Sequence, residues 1–102
     1  MVRRVSVFGS TGSIGCSTLD LIGRRPEAYR VVALTGGRNI NLLARQAREL
    51  RAEIAVTAHE DALPDLRAAL AGSGVEPAAG RTALIEAAAR PGRGDAATQR
   101  IS

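Results

Sequence analysis

A short apolar run, Val5-Ser6-Val7-Phe8, enters the turn Gly9-Ser10-Thr11-Gly12-Ser13-Ile14-Gly15 and passes straight into a helical pattern. No other part of the chain constrains its fold as much. A helix start leaves backbone N–H groups without internal partners, and glycines there let the backbone come close to an anion. The spacing G-x-x-G-x-x-G departs from the commoner G-x-G-x-x-G, yet each glycine has a task. Gly9 makes the tight turn out of the strand, Gly12 leaves room beside a pyrophosphate, and Gly15 lets the helix pack close to the sheet. The junction therefore reads as a cradle for a dinucleotide pyrophosphate. A phosphate-loop ATPase also sets a glycine-rich turn before a helix, but it needs Gly-Lys-Ser/Thr, and this chain has no lysine.

The following residues extend the pattern into an α/β fold. Ile14, Thr18, Leu21 and Ile22 fall at helical offsets, and the helix is expected to stop near Gly23 to Pro26. The apolar run Tyr29-Arg30-Val31-Val32-Ala33-Leu34 gives a second strand, completing one βαβ unit with a right-handed crossover. Ile40, Leu43, Ala44, Ala47 and Leu50 mark an amphipathic helix, and Ile54-Ala55-Val56 a third strand. Leu63, Leu66 and Leu70 mark a helix ending at Gly72-Ser73-Gly74, and Thr82 to Arg90 a further helix favoured by its alanines. The expected fold is a Rossmann-like parallel sheet with flanking helices, incomplete at this length. It occupies residues 1–90. Residues 91–102 carry glycine and charge with almost no apolar side chain, and are expected to be a disordered or divergent tail.

Composition narrows the function. At 102 residues the chain makes one domain at most, and 45% hydrophobic content suits a globular core rather than a disordered chain. No run reaches the ~18 apolar residues of a membrane span, and the N-terminus lacks a signal-peptide core, so a cytoplasmic protein without membrane contact is expected. The net charge of +4 raises the question of nucleic acid, but Phe8 and Tyr29 are the only aromatics and the arginines are spread along the chain. A solvated basic surface accounts for that charge better than a nucleic-acid partner does. Cys16 is the single cysteine, which rules out an internal disulfide and leaves it as a small packed side chain. His59 reads as a loop or helix-start residue.

The second turn, Thr35-Gly36-Gly37-Arg38-Asn39, selects the dinucleotide. A carboxylate at the end of the second strand would bond the ribose 2′-hydroxyl of NAD and repel the 2′-phosphate of NADP. Here an arginine stands instead. Arg38 can make charge-assisted bonds to a phosphate, with Gly36 and Gly37 freeing the backbone to approach, so NADPH is expected over NADH. The bland alternative is that Arg38 is a solvated charge beside a helix start. In the first turn Thr11, Ser13 and Ile14 are the other candidate contacts, whereas Ser10 shapes the turn and Ser17 and Thr18 serve the helix.

These residues resemble a specific family. Gly9-Ser-Thr-Gly-Ser-Ile-Gly15 continuing as Cys16-Ser-Thr-Leu-Asp-Leu-Ile22, then Tyr29-Arg-Val-Val-Ala-Leu34 and Gly37-Arg-Asn39, is similar to the N-terminus of 1-deoxy-D-xylulose 5-phosphate reductoisomerases, from Val2 to about Arg90. The resemblance implies an NADPH-dependent oxidoreductase of non-mevalonate isoprenoid synthesis, which turns 1-deoxy-D-xylulose 5-phosphate into 2-C-methyl-D-erythritol 4-phosphate. It also implies a divalent metal (manganese, magnesium or cobalt) and a homodimer. The cofactor contacts it implies are Thr11, Gly12, Ser13, Ile14, Gly37, Arg38 and Asn39.

The resemblance stops in the tail, where the family continues with an apolar strand and then a metal- and substrate-binding domain. A truncation or a change of reading frame is the expectation, with no catalytic or metal-binding residue in this chain. Glu49, Glu53, Glu60, Asp61 and Asp65 are accordingly expected to be solvated charges. Two other readings stand beside this one. A semialdehyde or acyl-phosphate reductase fragment would need a catalytic cysteine, for which Cys16 is badly placed. A dinucleotide-binding module without chemistry could carry an open sheet edge that pairs with another chain.

Overall fold

The computed structural model describes residues 3–89 and 98–101. Five parallel strands form one sheet: β1 (Arg3–Phe8), β2 (Tyr29–Gly36), β3 (Ile54–Thr57), β4 (Glu76–Ala79) and β5 (Thr98–Ile101), in the order β4-β3-β2-β1-β5. The helices are α1 (Ser13–Gly23), α2 (Ile40–Leu50), α3 (Leu63–Ala69) and α4 (Arg81–Ala89), with a 3-10 turn at Glu60–Ala62. The chain runs outward from β1 to β4, and β5 then lies on the opposite side of β1. That reversal of direction is a topological switch point, where open α/β sheets hold ligands at the carboxyl ends of their strands.

Two apolar clusters hold the layers together. Leu19 and Ile22 of α1, Leu43, Ala44 and Ala47 of α2, and Leu66 of α3 join Val5, Val7, Val31, Leu34 and Ala55 in one. Ala83, Leu84 and Ala87 of α4 pack with Val32, Ala33, Ile54 and Val56 in the other. The β1–β2 register passes from Val5↔Val31 to Ser6↔Ala33, so Val32 is an extra residue on β2. A bulge of this kind breaks the strict alternation of a strand, which explains how Val31 and Leu34 enter one cluster while Val32 and Ala33 enter the other.

The α2 stripe matches the sequence reading, with Ile40, Leu43, Ala44 and Ala47 buried and Leu50 packed against them. The α1 stripe differs. Its buried residues are Gly15, Leu19 and Ile22, while Ile14 and Leu21 are 71% and 65% exposed. Residues 15, 19 and 22 share a face one position round from 14, 18 and 21, and the glycine decides which face can lie against the sheet. Helices α3 and α4 and strand β3 stand where expected.

Three further differences concern edges and charges. Glu76–Ala79 is a strand that no apolar run announces, proline and alanine being poor strand formers; β4 is an edge strand, where proline is tolerated. Within the expected tail, Thr98–Ile101 pairs with β1 from Arg4↔Thr98 to Val7↔Ile101, while residues 90–97 and 102 lie outside the described residues. The free backbone groups along that side of β1 offer a ready template for an added strand, so this edge is paired within the chain. Glu53 is no solvated charge: its Oε2 accepts from Arg4 at 3.0 Å and Arg30 at 3.1 Å, which ties the starts of β1 and β2 to the start of β3.

Helix α2 ends on Arg51, whose backbone is left-handed (φ 54°, ψ 45°). Such a conformation crowds any Cβ and suits glycine at a helix end. Arg51→Gly is expected to raise stability by about 0.5–1 kcal/mol, the relief of strain exceeding the added freedom of the unfolded chain. Urea unfolding of the two proteins measures the difference.

Candidate functional site

Both glycine turns lie at the carboxyl edge of the sheet, and their geometry begins with backbone contact. Gly9 has φ 76°, the left-handed conformation that turns the chain sharply out of β1. Gly12 caps α1 without a side-chain hydrogen bond. A Cβ built on Gly15 would collide with the Gly9 carbonyl oxygen and stand 2.6 Å from Ser10 Cα. The helix is therefore seated on the turn itself, and its first N–H groups are carried to the end of β1. This agrees with the tasks assigned to Gly9 and Gly15; Gly12, whose added Cβ would meet only the Gly9 oxygen at 3.5 Å, leaves open space beside it.

Neighbouring elements fix the first turn. The Gly9 N–H donates to Thr35 Oγ1 (3.0 Å) and the Ser10 N–H to the Thr35 carbonyl (2.8 Å). Ser10 is fully buried, as a turn-shaping residue should be, and its Oγ donates to Gln46 Oε1 at 2.9 Å. Gln46 Nε2 returns a bond to the Ser10 carbonyl (3.0 Å) and lies 3.5 Å from Cys16 Sγ. Gln46 is thus a brace from α2; the sequence carried it only within the family-like helix from Leu43 to Leu50, with no role assigned. A lone polar residue near an apolar helix stripe is a weak signal in sequence. Cys16 is half-buried with its Sγ towards the Ser10 and Thr11 carbonyls, which fits a packed side chain rather than a nucleophile facing a substrate.

The second turn is held from β3. Thr57 Oγ1 donates to the Gly37 carbonyl (2.8 Å) and accepts the His59 N–H (3.2 Å), while the Ala58 N–H donates to the Gly36 carbonyl (2.9 Å). Thr11 lies against Gly36, where an added Cβ would meet its methyl at 3.3 Å, so the two turns touch. Gly36 gives space to Thr11 and Leu43, a tighter task than the freedom expected of it. Asn39 caps α2, its Oδ1 accepting the Leu42 N–H at 3.4 Å. Arg38 and Asp61 form an ion pair (Nη1 to Oδ2, 3.1 Å) with both side chains largely exposed. The guanidinium holds the Asp61 carboxyl below its ordinary 3.8, first through the hydrogen bond and then through its charge. Among the described residues no three His, Cys, Asp or Glu side chains gather to hold a metal ion, and no helix is long and apolar enough to cross a membrane.

A parallel sheet wound outward from β1, with a glycine turn at the end of that strand and a second turn at the end of β2, defines a Rossmann-like α/β domain. The family model described as 1-deoxy-D-xylulose 5-phosphate reductoisomerase matches residues 5–95, and the chain belongs to that family. A relative of that name from Jannaschia sp. is 72% identical over 89 residues, 87% of this chain and 23% of the relative. The reductoisomerase of Zymomonas mobilis, solved in complex with NADPH, superposes with a TM-score of 0.84 at 54% identity, covering 85% of this chain and 23% of that one. A further reductoisomerase, solved with NADPH, fosmidomycin and magnesium, gives a TM-score of 0.84 at 31% identity, over 97% of this chain and 24% of that one. The chain thus spans about a quarter of the length of its relatives.

Two outcomes follow from this geometry. Gln46→Leu would leave the buried Ser10 hydroxyl without its partner and its carbonyl with only the Cys16 thiol, and is expected to cost about 1–3 kcal/mol, read from chemical denaturation. Asp61 is expected to titrate below 3.8 in a carboxyl-carbon NMR titration and to return towards that value in Arg38→Ala. Because its folded pKa is lowered, any stability from the pair is present above the unfolded value and is lost as pH falls through the folded one.

Proposed function

We propose that this chain is the NADPH-binding part of a 1-deoxy-D-xylulose 5-phosphate reductoisomerase, residues 1–90 forming the cofactor domain with strand β5 added at the β1 edge of its sheet. The whole enzyme converts 1-deoxy-D-xylulose 5-phosphate to 2-C-methyl-D-erythritol 4-phosphate by rearrangement and reduction. Bound NADPH supplies the hydride for the reduction. The observation that carries this reading is the contact of the two glycine turns, which sets the α1 N-terminus beside a turn bearing arginine and no carboxylate of its own.

The residues present suit the cofactor. Ser13 and Ile14 offer the first backbone N–H groups of α1, with no side chain capping them; Gly12, whose own N–H donates to the Gly9 carbonyl (3.1 Å), leaves space beside them, and Thr11 adds a hydroxyl. Ile14 is an apolar side chain 71% exposed over that end of the helix, positioned to cover a bound dinucleotide. Gly37, Arg38 and Asn39 take the adenosine 2′-phosphate, Arg38 through charge-assisted bonds. Substrate and a divalent metal (manganese, magnesium or cobalt) are held by parts of the family's length that this chain does not span. The 102 residues therefore bind cofactor without turning over substrate, since a hydride donor reacts only against a positioned acceptor. The whole enzyme is read as a cytoplasmic homodimer with no nucleic-acid or membrane partner.

The test is a titration of the purified chain with NADPH and NADH, followed by cofactor fluorescence, with circular dichroism reporting the fold. NADPH is expected to bind more tightly. Arg38→Ala is expected to weaken NADPH by about tenfold or more while leaving NADH within about twofold, the size of a lost hydrogen bond to a charged group. Equal losses for both cofactors would remove Arg38 from the site.

A further inference from the structure

Arg38 already has an anionic partner within the chain. Its guanidinium meets Asp61 at 3.1 Å, and the two turns that carry them are locked together by the Thr57 and Ala58 hydrogen bonds to the Gly36-Gly37 backbone. Backbone anchoring therefore sets the two charges face to face. Both side chains stay largely exposed, 65% for Arg38 and 69% for Asp61, so neither is trapped and the pair can open. The other charged groups near the turn are disposed differently. Glu60 points towards Gly80, where its Oε1 would lie 2.8 Å from an added Cβ, and Asp65 lines the groove beside Arg38, Asn39 and Asn41. His59 brings its Nε2 to 3.9 Å from the position of a Gly37 Cβ. Asp61 is the carboxylate in contact with the guanidinium.

We propose that Asp61 sets the cofactor specificity of this site: it competes with the 2′-phosphate for Arg38 and so reduces, without reversing, the preference for NADPH over NADH. The inference rests on the NADPH reading above and adds a residue to it. A 2′-phosphate that takes Arg38 has to take it from Asp61, and it then stands near a like charge. Both effects oppose a phosphate dianion, and neither touches the neutral 2′-hydroxyl of NADH. Asp61, an exposed carboxyl held below the ordinary 3.8 by Arg38, is ionised throughout the neutral range as any such carboxylate is, so the competition is always present there.

Asp61→Asn removes the charge and keeps a side-chain oxygen of the same size. Measured in the same fluorescence titration, it is expected to tighten NADPH about two- to fivefold, the range of an exposed ion pair, and to leave NADH unchanged. The gain should shrink in high salt and vanish in an Arg38→Ala background. Unchanged or weakened NADPH binding overturns the proposal, as does equal tightening of both cofactors or a gain that survives without Arg38. A wild-type chain that prefers NADPH through Arg38, with Asp61→Asn indistinguishable from it, defeats this inference alone. Wild type and Arg38→Ala each binding the two cofactors alike would defeat the NADPH reading as well.

Discussion

The rest of the structure depends on one contact of backbone with backbone, the seating of α1 at Gly15 on the Gly9–Ser10 peptide. Because residue 15 has no Cβ, the helix axis comes close enough to the sheet to bury Leu19 and Ile22. The same approach delivers the unpaired N–H groups of the helix to the end of β1. Close packing and the presentation of those N–H groups are thus two results of one missing side chain. β1 lies between β2 and β5, so displacement of α1 would disturb both sides of the switch point.

Polar side chains at strand ends convert that packing into a defined site. Thr35, at the end of β2, receives the first turn; Thr57, at the end of β3, secures the second. Each strand therefore steadies the turn of the strand before it. Gln46 adds a tie from α2, whose own start carries Arg38 and Asn39 one step earlier in the chain. These groups are buried or half-buried, where an unpaired donor or acceptor is costly. The exposed Arg38–Asp61 pair contributes little to the fold by comparison and is correspondingly free to exchange partners.

The sequence made the β1-α1-β2-α2-β3 order legible because each element carries its own period and each junction its own glycine. It also pointed to the two turns, since backbone approach to an anion demands residues without side chains. What stayed hidden depends on partners distant in the chain. The buried stripe of α1 is chosen by the contact at Gly15, and two overlapping apolar stripes cannot reveal that choice. Glu76–Ala79 lacks strand-forming residues and pairs because the β3 edge is open to it. Glu53 and Asp61 look alike as isolated carboxylates, yet one clasps two arginines at the strand starts and the other meets Arg38 at the opposite edge. Gln46 and Ser10 lie 36 residues apart, a pairing that no local pattern discloses.

The threonine ties have a consequence for folding. Each turn is shaped only when the neighbouring strand is in register, so a ligand spanning both turns recognises the assembled sheet and not the loose chain. Such a ligand acts as a thermodynamic reporter of strand alignment: at about a hundred times its dissociation constant it adds about 2.7 kcal/mol to the native state by mass action alone. In a domain this small, with a modest core, occupancy of the turns becomes a substantial share of what keeps the sheet together.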